Sequence, residues 1–134
     1  EEDHYRYIAS RVRFREKDSV VYRQALEGTE NLEGIDSDSF FGFNVDAGLA
    51  TIIDTNTRDA YCDFVDAWEK EHPEENMYDD FFAEEFRKNY IKNPEFQREG
   101  GDWINFEIPN TKYSIPMIQL GFGDGYYQLH CNGI

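Results

Sequence analysis

The sequence predicts an α+β fold: a single domain, mostly antiparallel β-sheet or sandwich, with a two-helix insertion near residues 57–92. Three observations predict it. Apolar residues alternate with a period of two toward both ends of the chain, they switch to a helical period in the middle, and Gly- and Asp-rich breaks separate the segments. The length, 134 residues, suits one core and is too short for two comfortable ones. Eleven Phe, nine Tyr and two Trp argue against disorder along the chain, because each well-buried aromatic contributes about 2–3 kcal/mol of transfer free energy.

The first element is YIASRVRF, with Ile8, Val12 and Phe14 on one face and arginines on the other. EKD forms a polar turn, and SVVYRQAL returns as the second strand of a hairpin. Residues 27–39 carry Gly and Asx without periodicity and form a loop. FFGFNV, a turn at Asp46-Ala47-Gly48, and LATIID predict another hairpin. In NTRDAYCDFVDAWEKEHP, Tyr61, Phe64, Val65 and Trp68 lie at i, i+3, i+4 and i+7, the apolar face of a helix. Asn56 or Thr57 suits its N-cap, and Pro73 lies beyond its end. A second helix covers MYDDFFAEEFRKNYI, with Phe81, Phe82 and Phe86 directed to the core. WINFEI, YSIPMIQL and YYQLHC supply three more strands, and Pro116 marks the second of these as an edge strand or a bulge. The segments GFNVDAG and GFGDG echo one another: each has Gly-Phe followed closely by Asp and Gly.

Charge is the strongest global feature. Thirteen Lys and Arg stand against twenty-eight Asp and Glu, a net −15. Such a surface repels nucleic-acid phosphates and anionic lipid headgroups, so the expected partner is neither nucleic acid nor membrane. It favours fast association with a basic protein, and it also serves solubility. The acids flanking the second helix, Glu74, Glu75, Asp79, Asp80, Glu84 and Glu85, are the candidate contacts. Tyr126 or Tyr127 is the candidate aromatic anchor, because neighbours on a strand point to opposite faces and one should be exposed. Cys62 and Cys131 match no zinc or redox spacing. They read as free buried thiols in a reducing compartment, and hence a cytoplasmic protein; the alternative, a Cys62–Cys131 disulfide, needs an oxidising setting.

Several chemistries are excluded. DSDSFF fails as a calcium loop because its fifth and sixth positions are Phe40 and Phe41. His4, His72 and His130 stand without paired spacing, and His130 and Cys131, adjacent on a strand, cannot meet. GFGDGY leads into strand residues, so no helix N-terminus is present there to hold a phosphate. No cofactor is expected. One alternative to the interaction reading stays open. Asp46, Asp102 and Asp124 sit beside glycines, and Asp124-Gly125 is a strong hairpin-turn signal. Gly121 and Gly123 exceed what a tight turn needs. The glycine loops can instead contact a ligand, and if the three carboxylates converge, they can hold Mg²⁺ or Ca²⁺, or two of them can act as a hydrolase's acid–base pair.

FFGFNVDAG, QREGGDWINFEIP and GFGDGYY, in the order ASRVRF, FGFNVDAG, YCDF…WEKE, NMYDDFFAEEF, GGDWINF and GFGDGYY, resemble the bacterial domain-of-unknown-function family 4241 over nearly the whole chain. The resemblance implies a fold and a set of positions, not a reaction. The chain departs from the family pattern after DAG, where LATIID replaces a small-residue and cysteine stretch. It is also expected to be a family core, residues 1–134, lacking N- and C-terminal segments. An exposed sheet edge, or a partner that covers it, follows. By analogy, acidic proteins of this kind act as immunity proteins beside secreted bacterial toxins.

Overall fold

The computed structural model describes residues 22–26, 29–31, 33, 36 and 38–131. The first predicted strand and its turn lie outside these residues. In chain order the elements are β1 (Arg23–Gln24), β2 (Gly42–Val45), β3 (Leu49–Ala50), α1 (Thr55–Glu71), a π-helical segment (Met77–Phe82), α2 (Ala83–Lys92), β4 (Trp103–Glu107), β5 (Ser114–Gln119), β6 (Gly125–Gln128) and β7 (His130–Cys131). This is a small α+β fold with antiparallel pairing throughout.

β3, β5 and β4 form a three-stranded sheet in that order. Alternation in β4 and β5 places Ile104, Phe106, Ile115 and Met117 on one buried face, continued by Ile108. Phe82 and Phe86 complete the buried cluster, and Tyr61, Phe64, Met77 and Phe81 pack around it. The rings of Phe81 and Phe82 both meet Phe106 edge-on, with centroids 5.7 and 5.1 Å away. Such edge-to-face contacts suit the ring quadrupoles. The predicted core phenylalanines are thus in place, Phe81 half-buried beside the other two.

Asx residues cap α1 and the π-helical segment that runs into α2. Asp54 accepts from the main-chain N–H groups of Asn56 and Thr57 and from the Thr57 hydroxyl, at 2.9–3.0 Å. The cap is therefore Asp54, not Asn56 or Thr57, because a carboxylate offers two oxygens to two amides and a hydroxyl together. Asn76 caps the next segment through Tyr78 and Asp79. That segment opens as a π-helix rather than the predicted α-helix. The wider turn lets consecutive Phe81 and Phe82 both pack on the core.

Three strand predictions need correction. LATIID does not return on FFGFNV as a hairpin: β2 pairs with β6, and β3 pairs with β5. Asp124-Gly125 is likewise no tight hairpin turn, because β5 and β6 are not partners. The two stretches β2–β3 and β5–β6 instead pair antiparallel on either side of a break, with register Val45↔Gly125 on one side and Leu49↔Gln119 on the other. Finally, Pro116 lies in the central strand β5, not at an edge. Its carbonyl accepts the Thr51 hydroxyl at 2.7 Å, so its nitrogen faces the β3 side, where β3 has already ended. No ladder bond is lost there.

Candidate functional site

The break between the paired stretches brings the two echoing motifs together. Residues 46–48 on one side face residues 120–124 on the other. Asp124 Oδ1 accepts the Gly48 N–H at 2.8 Å, and Leu120 N–H donates to the Gly48 carbonyl at 2.7 Å. Ala47, Gly48 and Gly123 all have left-handed φ values, 59°, 64° and 73°, which bend both chains out of the ladder. The result is an open cleft of about 360 Å³ lined by Gly48, Tyr78, Arg98, Gln119, Gly121, Gly123 and Asp124 among others.

A polar network supports this cleft from below. Asp102 is 3% exposed. Its carboxylate accepts the Arg98 main-chain N–H at 2.7 Å and the Arg98 guanidinium. Its own amide donates to Gln97 Oε1, and its carbonyl accepts from the Gln119 amide. Arg98 Nη2 reaches Gln119 Oε1 at 3.0 Å, and Gln119 Nε2 donates to the Tyr78 hydroxyl at 2.8 Å. Burial pushes the Tyr78 hydroxyl pKa up, Asp79 adds to that rise, and Arg98 opposes it, so Tyr78 stays a neutral hydrogen-bonding group. The loop carrying Arg98 is pinned at Gly101. A Cβ there would lie 2.5 Å from the Phe86 carbonyl oxygen, and φ is +87°.

The three glycine-flanked carboxylates therefore do not form one site. Asp124 lines the cleft, and Asp46 accepts the Ala47 amide in the opposing turn. Asp102 is committed to Arg98 and to its own loop. Among the described residues, no group of three or more His, Cys, Asp or Glu is placed to hold a metal.

The helix-flanking acids are exposed, except Glu85, which is half-buried. Local partners engage four of the six. Glu84 meets Arg87 and Glu85 meets Lys88, each at 2.7 Å, and Glu75 lies 3.2 Å from His72 Nδ1. Asp80 accepts the Asn76 amide at 2.7 Å. The bond from Arg87 holds the Glu84 carboxyl below its ordinary range. Glu74 and Asp79 project without a side-chain partner among the described residues. Sequence reading missed the acids of α1. Asp63 and Asp66 are exposed on the side opposite the Tyr61–Phe64–Trp68 stripe, and Glu69 is exposed at its flank. Their i, i+3 spacing was a signal available from sequence, because like charges so placed cost helix stability and so call for an explanation.

Tyr126 is the more exposed tyrosine, at 48%, and Tyr127 is half-buried. Both work within the β2–β6 ribbon. Tyr126 stacks on Phe40 and its oxygen accepts the Gly42 N–H, while the Tyr127 hydroxyl donates to the Gly123 carbonyl. Cys62 is a free thiol, exposed on α1 rather than buried as the sequence suggested. Its position two residues before the core-facing Phe64 turns it outward. Among the described residues, no helix is long and apolar enough to cross a membrane.

An antiparallel α+β fold with a glycine-loop cleft and an acidic helical layer defines a class, not a reaction. A family model described as "Protein of unknown function (DUF4241)" matches residues 1–131, and the chain belongs to that family. No curated protein matches the chain. No solved structure matches it either.

Proposed function

We propose that this protein is a non-enzymatic interaction domain that binds a basic protein through the outer face of its helical layer. In its most concrete form it is an immunity-type protein that covers a basic bacterial toxin. One observation carries the reading: eleven carboxylates and one lysine fall between Asp59 and Glu85, so this stretch holds ten of the fifteen net negative charges. Ten of the eleven are exposed. The charge is thus concentrated on one layer rather than spread for solubility. Like charges at i, i+4 and i, i+3, as in Asp59–Asp63–Asp66–Glu69, weaken α1 in isolation, and a cationic partner relieves that repulsion. Exposed, long-range charges of this kind act mainly on association rate.

The test is affinity capture from lysate of the source organism at low and at high salt, with mass spectrometry of what is retained. A stoichiometric basic protein held at low salt and released at high salt supports the reading. Retention of an acidic protein, insensitive to salt, would overturn it.

A further inference from the structure

The cleft between the glycine loops adjoins the acidic helical segment at Tyr78 and has hydrogen-bonding capacity of its own. Arg98 carries five N–H groups. Nε and Nη2 are engaged by Asp102 and Gln119. The two N–H groups of Nη1 meet no acceptor among the described residues. The guanidinium is nevertheless fixed, because Asp102 is 3% exposed and locked by its own backbone bonds. Nη1 of this fixed guanidinium can donate charge-assisted hydrogen bonds to a carboxylate oxygen. Asp124 shows the complementary vacancy: Oδ1 takes the Gly48 amide, and Oδ2 meets no donor among the described residues. Gln119 and Tyr78 add neutral polar groups to the same lining.

Charge then selects the ligand. Arg98 is already balanced by Asp102, which leaves Asp124 as the surplus charge, so a plain anion such as phosphate is disfavoured. A bare cation finds one carboxylate only and Arg98 beside it. A ligand that satisfies both vacancies brings an anionic acceptor and a cationic donor together. The volume, about 360 Å³, lies at the small end of the roughly 300–1,000 Å³ that small-molecule sites span. We propose that this cleft binds a free α-amino acid, its carboxylate on Arg98 and its ammonium on Asp124.

The experiment is titration calorimetry of the full chain with single L-amino acids at millimolar concentration. It is repeated with the N-acetyl and carboxamide derivatives of any that bind, and with Asp124→Asn and Arg98→Lys. Asp124→Asn keeps Oδ1 for Gly48 and removes only the charge, so its fold is retained. At least one amino acid binds the wild type, and each derivative and Asp124→Asn binds it about tenfold or more weakly. Arg98→Lys keeps the charge beside Asp102 and loses the Nη1 donor, and where it unfolds, Asp124→Asn alone decides. No binding by any amino acid, equal binding by Asp124→Asn, or equal binding of the N-acetyl derivative would overturn the proposal.

Discussion

On the three-stranded sheet, Ile104, Phe106, Ile115 and Met117 vanish beneath the helices, each no more than 7% exposed. On the β2–β6 ribbon, Phe43 and Tyr126 remain 37% and 48% exposed, and Val45 alone is buried. Both regions are rich in aromatics, yet different forces hold them. Burial of apolar area holds the first. Cross-strand ring contacts, such as Phe40 on Tyr126 at 5.5 Å and Phe43 near Tyr127 at 6.3 Å, hold the second together with tyrosine hydroxyl bonds to backbone. Polar loops join the two, and the cleft lies at that junction. The comparison teaches that the stable layer carries the charge, while the lightly packed ribbon shapes the cleft.

The sharpest way to break the comparison is Phe86→Ala. Phe86 is 1% exposed at the centre of the helical layer, and its truncation should cost about 3–5 kcal/mol. A loss below about 1 kcal/mol by urea titration would remove the helical layer from its role as the stable region. The next effect falls on the ribbon. At Gly42 a Cβ would sit 2.0 Å from the Tyr127 carbonyl oxygen, so Gly42→Ala should cost about 1–3 kcal/mol through forced backbone shifts. Hydrogen exchange should speed up in β2 and β6 while the helices keep their protection. Equal loss of protection in the helices would show that the two regions are one cooperative unit.

A smaller effect separates α1 from its cap. Hydrogen bonds from Thr57, backbone first and hydroxyl second, hold the Asp54 carboxyl below its ordinary value of 3.8. The unfolded chain therefore takes up the proton first. The cap's contribution is full above 3.8 and is lost as pH falls through the lowered folded value. Asp54→Ala should lower the melting temperature at neutral pH, and the gap from wild type should close in acid. A gap that persisted at the lowest pH would show that the charge is irrelevant to the cap. Smallest of all, Glu84→Gln removes an exposed ion pair with Arg87 and should leave thermal stability essentially unchanged.

The same comparison explains what was legible in the sequence. Where burial dictates identity, periodicity shows it: Tyr61, Phe64 and Trp68 announced α1, and the alternation of WINFEI announced β4. Pairing across long separations left no local trace. GFNVDAG and GFGDG each read as a turn because Asx-Gly signals turns locally, and only the partner strand decides otherwise. Arg98 was missed because a lone arginine in a loop carries no pattern. Its role depends on Asp102, four residues on, and Gln119, twenty-one residues on, folding around it. The π-helix was illegible for a related reason, since the packing of Phe81 and Phe82 on Phe106 decides it.

In the proposed function, the acidic helical face finds its partner electrostatically. The most direct test measures the association rate of the captured basic partner, at low and at high salt, with wild type and with the charge reversal Asp63→Lys, Asp66→Lys, Glu74→Lys and Asp79→Lys. The reversed variant should associate at least about tenfold more slowly at low salt, with the difference shrinking as salt rises. Unchanged association at low salt by the folded variant would contradict it.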